Sequence, residues 1–165
     1  MQLLLSTVLS AFALTAVSAS IAPNSVAKLQ LTTNTDLCVG STGTAVGSPL
    51  SLESCNSALT TFNLPRGAPG TATQLALNAT LSGAGPKACA SAHGLDVDGT
   101  LILDVCQDDA AQRWTVQGET GKGPIVAGTG SGVYCLTASS TTEGSAITYS
   151  ACSGSEKQEW SPVAA

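Results

Sequence analysis

The sequence predicts an all-β domain built from three copies of one unit, and three observations carry that prediction. Six cysteines fall as Cys38 and Cys55, Cys89 and Cys106, Cys135 and Cys152, each pair 17 residues apart. Five and three positions before each second cysteine stand Leu50 and Leu52, Leu101 and Leu103, Ile147 and Tyr149, behind a glycine at Gly47, Gly99 or Gly144. After two of these cysteines the chain reads "CQDDAAQRW" and "CSGSEKQEW", with Gln and Trp in the same frame. A fixed separation recurring at a period of about 50 residues marks an internal repeat.

The chain opens with "MQLLLSTVLSAFALTAVSAS", apolar and free of charged side chains, and Val17-Ser18-Ala19 reads as a small-x-small cleavage signal. Residues 1–19 are expected to be a secretory signal peptide, although its start lacks Lys or Arg. The run is short and broken by Ser and Thr, which disfavours a membrane anchor, and no other apolar run could span a bilayer. Residues 20–165 fit a single domain with repeats at about 24–70, 71–121 and 122–165. A chain of that size buries roughly two-thirds of its surface and needs no partner to fold. Six Lys+Arg against eleven Asp+Glu give a net charge of −5. An acidic chain without a basic patch argues against nucleic acid and anionic membranes as partners. An even number of cysteines behind a signal peptide predicts disulfides and an extracellular location.

Each unit opens on strand-like alternation, "VAKLQLTT", "TQLALNAT" and "PIVAG". Apolar residues two apart behind a turn glycine describe a second kind of strand with one face buried. The intervening Ser51 and Glu53, Ile102 and Asp104, Thr148 and Ser150 are expected to face water. Each unit closes on a large apolar side chain. Gln112 and Trp114, and likewise Gln158 and Trp160, share a strand face, while "LTTFNL" puts Phe62 in that place, one residue closer to its cysteine. Burying an indole removes a large apolar area from water, and a buried amide must find hydrogen-bond partners. These five residues are therefore expected to be core anchors. Six cysteines allow many connectivities; the repeat, rather than the spacing alone, favours closure within each unit.

Cysteine pairs, an apolar strand before each second cysteine and a closing Gln-x-Trp, repeated over roughly Lys28 to Val163, resemble the ricin-B-type β-trefoil family. The resemblance implies pseudo-threefold symmetry, with six strands in a barrel capped by three hairpins. It also implies a lectin for galactose-type sugars or a carbohydrate-binding module. In such a lectin an Asp lies two residues after the first cysteine, where this chain has Gly40, Ser91 and Thr137. An aromatic platform lies two before the second, here Glu53, Asp104 and Ser150. An Asn precedes the closing Gln, here Ala111 and Lys157. No unit keeps the set. After residue 19 the aromatics are Phe62, Trp114, Tyr134, Tyr149 and Trp160, and the pattern assigns all but Tyr134 to the core. Any sugar binding is expected to use different groups.

The second unit offers such groups. Asp96, Asp98, Asp104, Asp108 and Asp109 crowd one short stretch, and the first three are candidate acceptors for ligand hydroxyls. "DVDG" resembles the start of a calcium loop but lacks its later ligands, so the alternative is a solvated acidic turn bending at Asp98-Gly99. His93 is a ligand contact or an idle loop residue; a general base would need a nucleophile or orienting group beside it. With every cysteine paired, no thiol nucleophile or zinc site remains, and "GTGSG" (128–132) lacks the Lys-Ser/Thr of a phosphate loop. No catalysis, metal or cofactor is expected. Asn78-Ala79-Thr80 is a glycosylation sequon on an outward position. The leading expectation is an extracellular, lectin-like carbohydrate-binding protein whose partners are glycans. The alternative is a secreted protein-interaction module, a protease inhibitor or effector acting on an extracellular protein. In that case the loop "LPRGAPGTAT" would present Arg66 to a trypsin-like pocket, unless it is only a linker.

Overall fold

The computed structural model describes residues 20–79, 87–117, 121–127 and 134–165. The expected signal peptide, the "GTGSG" connection and Thr80 of the sequon lie outside the described residues.

The first unit contains β1 (Ser25–Leu31), β2 (Asn34–Ser41), β3 (Leu50–Ser54) and β4 (Phe62–Leu64). In the second, the opening strand is split into β5 (Ala72–Thr73) and β6 (Ala76–Leu77), followed by β7 (Ala88–Ser91), β8 (Ile102–Val105) and β9 (Trp114–Val116). The third has β10 (Ile125–Ala127), β11 (Tyr134–Ala138), β12 (Ile147–Ala151) and β13 (Trp160–Ala164). A single 3-10 turn precedes each closing strand, at Ala58–Thr60, Ala110–Gln112 and Glu156–Gln158.

Each closing strand lies between two opening strands. Ala27 of β1 faces Phe62 of β4 on one side and Ala164 of β13 on the other. Phe62 also faces Leu77 of β6, Trp114 faces Thr73 of β5 and Ala127 of β10, and Trp160 faces Leu31 and bridges to Gly123. The middle hairpins β2–β3, β7–β8 and β11–β12 cap this ring, with Cys38 opposite Glu53, Cys89 opposite Asp104 and Cys135 opposite Ser150. This is the β-trefoil the resemblance implied. The disulfides are Cys38–Cys55, Cys89–Cys106 and Cys135–Cys152, each closing its own unit.

The closing residues explain why the frame repeats. Trp114, Trp160 and Phe62 are fully buried. Trp114 Nε1 donates to the Ala90 carbonyl at 3.0 Å, and Trp160 Nε1 donates to that of Leu136 at 2.9 Å. Gln112 Nε2 donates to the Val105 carbonyl at 2.7 Å while its Oε1 accepts from Gln107 N at 2.7 Å. Gln158 repeats this with the Ala151 carbonyl at 2.8 Å and Ser153 N at 2.7 Å. The amide thus takes up the backbone groups on either side of the second cysteine, which a buried loop could not leave unpaired. In the first unit that loop is one residue shorter. Thr60, fully buried, stands in for the glutamine, its hydroxyl donating to Ser57 O at 2.7 Å.

The hairpin turns meet their neighbours by one shared pattern. Gly47 N donates to Leu103 O at 2.7 Å, Asp98 N to Tyr149 O at 2.9 Å, and Gly144 N to Leu52 O at 2.7 Å. Each acceptor residue donates back to the next residue of the turn: Leu103 N to Ser48 O at 2.8 Å, Leu52 N to Ser145 O at 2.8 Å, and Tyr149 N to Gly99 O at a longer 3.4 Å. The turn residue has positive φ, 88° at Gly47 and 80° at Gly144, but in the second unit it is Asp98 at 69° and not Gly99. The expected turn glycine is therefore one place late. Asp tolerates the left-handed region better than most side chains, which is how the bend survives.

Two further expectations need correction. Ser51 does not face water: it is 4% exposed, because the third unit's Ala146 bridges to it. Tyr149, expected in the core, packs against it but stays half-buried, unlike the fully buried Leu52 and Leu103 at the equivalent positions.

Candidate functional site

The positions where the family holds its sugar-binding residues lie on β2, β7 and β11 and on the strands paired with them, β3, β8 and β12. In the first unit Gly40 lies against Glu53; a Cβ there would sit 2.7 Å from Glu53 Cγ and 3.0 Å from the Thr60 methyl, so no aspartate fits unless Glu53 moves. In the second unit Ser91 is buried, its hydroxyl accepting from His93 N at 3.1 Å. In the third, Thr137 Oγ1 donates to Cys135 O at 2.9 Å and accepts from Gln158 Nε2 at 2.9 Å. The small polar groups at these positions are engaged within the chain.

The five clustered acids separate by role. Asp108 is clamped between two arginines, its Oδ2 2.6 Å from Arg66 Nη2 and its Oδ1 3.1 Å from Arg113 Nε. Those hydrogen bonds, Arg66's first and then Arg113's, hold its carboxyl down to about 2. Asp109 caps the 3-10 turn, Oδ1 accepting from Ala111 N at 3.0 Å, and lies 3.6 Å from Nδ1 of the exposed His93. Asp104 is half-buried on β8, its Oδ1 accepting from Val105 N at 2.7 Å. Asp96 and Asp98 lie in the exposed hairpin turn, and among the described residues neither carboxylate has a hydrogen-bond or ion-pair partner. The structure thus brings Asp96 and Asp98 together and leaves Asp104 toward the cysteine end of the hairpin. Among the described residues no group of three or more His, Cys, Asp or Glu could hold a metal.

Arg66 is not a free side chain. Besides Asp108 it reaches Ala72 O, at 3.2 Å, and its loop is strapped down by paired Ile21 and Ala68, each donating to the other at 2.9 Å. Gly67 is buried with φ 74°, and a Cβ there would meet Ile21 O at 2.5 Å. The loop is a packed joint between the first two units. Asn78 is exposed, with its backbone N donating to Thr61 O at 2.8 Å.

The residues that sequence reasoning undervalued are the two tyrosines. Tyr134 and Tyr149 are both half-buried, their ring centroids 5.3 Å apart and their planes 58° apart. Tyr149 Oη donates to Leu95 O at 3.4 Å while its backbone accepts from Asp98 N, so the residue spans the acidic turn. The signal was available: the equivalent positions hold Leu37 and Ala88, and Leu52 and Leu103, so two neighbouring aliphatic sites change to tyrosine together. A separate cavity of 280 Å³ lies at the third disulfide, floored by Pro124 and Val126. Its buried amide, Gln158, is already bonded as described.

The description of the ricin-type beta-trefoil lectin domain matches residues 77–164, and the chain belongs to that family. Similar solved structures include a designed threefold-symmetric protein, ThreeFoil, at TM-score 0.71 and 17% identity, covering 85% of this chain and 99% of that one. The β-trefoil lectin of the Vibrio vulnificus hemolysin/cytolysin, with N-acetyl-D-lactosamine bound, has TM-score 0.59 and 21% identity, covering 89% and 96%. An exo-beta-1,3-galactanase from Clostridium thermocellum has TM-score 0.69 and 16% identity, covering 88% of this chain and 31% of the longer one. No curated protein matches the sequence. At these identities the likeness speaks for the fold. Three disulfides point to an extracellular or secreted protein. Among the described residues no helix is long and apolar enough to cross a membrane.

Proposed function

We propose that this protein is an extracellular, non-catalytic carbohydrate-binding protein that no longer uses its family's sugar-binding residues. The observation that carries the reading is the pairing of lectin-family membership with exposed, unpartnered carboxylates at Asp96 and Asp98. A carboxylate accepts charge-assisted hydrogen bonds from sugar hydroxyls, stronger than neutral ones. Asp104 is a further acceptor on the same hairpin, at the position where the family places its aromatic platform. Departure from the family's usual site is supported by Gly40 against Glu53, by the engaged Ser91 and Thr137, and by the absence of an aromatic at residues 53, 104 and 150. The Vibrio lectin's ligand makes N-acetyl-D-lactosamine a reasonable first probe. The non-catalytic reading rests on the employed state of Asp108 and Asp109, which leaves His93 no orienting partner beyond a rim carboxylate.

The test is a glycan array with the oxidised, folded protein. Binding to a defined set of glycans is expected, weakened by Asp104→Ala; a flat array overturns the reading. The protease-inhibitor alternative needs Arg66 released from Asp108, so trypsin should be unaffected by the protein. Inhibition lost in Arg66→Ala would reverse that judgement.

A further inference from the structure

The three seams between units share one backbone geometry, and only one is furnished for recognition. At the seams closed by Leu103 and Leu52 an aliphatic side chain is fully buried beneath a turn led by Gly47 or Gly144. At the third, the turn is Asp96-Val97-Asp98 and the residue beneath it is Tyr149, beside Tyr134. Four residues that differ from both of their counterparts in the other units, Tyr134, Tyr149, Asp96 and Asp98, therefore meet at one place. Two of them, Tyr134 and Tyr149, are the only aromatic side chains after residue 19 that are not fully buried. A third, Asp98, keeps a left-handed backbone that glycine adopts at no steric cost in both other units.

We propose that this second-to-third-unit seam is a binding site for a terminal neutral pyranose, with Tyr134 and Tyr149 as the apolar shelf and Asp96 and Asp98 as hydroxyl acceptors. The proposal rests on the carbohydrate reading above and adds to it the place and the sugar class. A pyranose has one face rich in C–H groups carrying partial positive charge, which suits the negative face of an aromatic ring. The 58° tilt between the rings makes an angled rather than flat support. Carboxylates beside that support accept from hydroxyls at the sugar's edge. Two unneutralised negative charges repel sialylated, sulfated and uronic-acid glycans, because like charges brought together suppress the wrong partner. The site lies at a seam between hairpins, on residues other than those at the family's sugar-binding positions.

Pseudo-symmetry supplies variants that the fold already accepts: Tyr134→Leu after Leu37, Tyr149→Leu after Leu52 and Leu103, Asp96→Ala after Ala45, and Asp98→Gly after Gly47 and Gly144. Each is run on an array carrying terminal galactose, N-acetylglucosamine, mannose and sialic acid, then titrated with the array's best free saccharide. Circular dichroism and thermal melts check that each variant is folded. The expected result is neutral glycans bound in preference to sialylated ones, with at least a tenfold loss in Tyr149→Leu and Asp98→Gly. Binding by the wild type that persists undiminished in all four variants overturns the seam site but leaves the carbohydrate reading standing. A preference for sialylated glycans also overturns it. A wild-type array with no signal overturns both.

Discussion

Leu52 and Leu103 close two of the three seams, and Tyr149 closes the third, on the same backbone hydrogen bonds. The comparison shows what the fold holds constant and what it leaves free. Constant are the main-chain bonds from each turn to the next unit, the disulfide within each unit and a large side chain on each closing strand. Free are the side chains that those bonds carry. The threefold frame can therefore vary one seam without disturbing the others, because the same main-chain bonds tie each turn to its neighbour whichever side chains they carry.

The largest effects come from breaking the constant part. Trp114→Ala or Trp160→Ala removes a fully buried indole and should cost about 3–5 kcal/mol, read by urea or thermal unfolding. A loss below about 1 kcal/mol would mean that the indoles do not anchor the frame. Replacing Cys89 and Cys106 together by serine should cost on the order of 3 kcal/mol, from the loop entropy regained by the unfolded chain. The same paired change at Cys135 and Cys152 opens a loop of the same length and should cost about as much on that model.

Removing a clamp is the next step down. Gln112→Ala leaves the Val105 carbonyl and Gln107 N–H without their partner and should cost about 1–3 kcal/mol. Tyr149→Leu sharpens the comparison itself. It installs the residue of the other two seams, so stability should change by less than about 1.5 kcal/mol while glycan affinity falls at least tenfold. If the melt falls by much more, Tyr149 belongs to the frame and not to the surface.

How much of this was legible beforehand follows the same division. The cysteine spacing, the paired apolar residues and the closing indoles are periodic, so the repeat and closure of each unit by its own disulfide could be read from the residues, while the trefoil came with the family they resemble. Thr60 could not, because it replaces glutamine only once the loop after Cys55 is seen to be one residue shorter. The half-buried state of Tyr149 is hidden from the sequence for a related reason: a pattern that makes Leu52 and Leu103 buried extends to any large side chain at that position, and only packing reveals where a ring protrudes. The acidic cluster looked uniform in sequence. The structure divides it, since Arg66 arrives beside Asp108 from a distant loop and the 3-10 turn occupies Asp109.

The smallest expected effect concerns that clamp. Asp108 titrates at about 2 in the folded chain, below its usual 3.8, so its ionised form is favoured by folding. A carboxyl depressed in this way adds stability above its unfolded pKa and loses it as pH falls through the folded value. Asp108→Asn should therefore be slightly less stable than the wild type above about pH 4, with the two curves converging toward pH 2. Because the carboxylate is exposed, high salt should shrink the difference. Curves that stay equally separated at all pH values would show that the charge of Asp108 is not what matters.

The account turns on a silent interior and a responsive seam, and NMR of the folded protein can observe both at once. Titrated with the saccharide that the array ranks highest, the ring resonances of Tyr134 and Tyr149 should shift and saturate, while the indole N–H signals of Trp114 and Trp160 stay where they are. Saturable binding that leaves both tyrosine rings unmoved would contradict it.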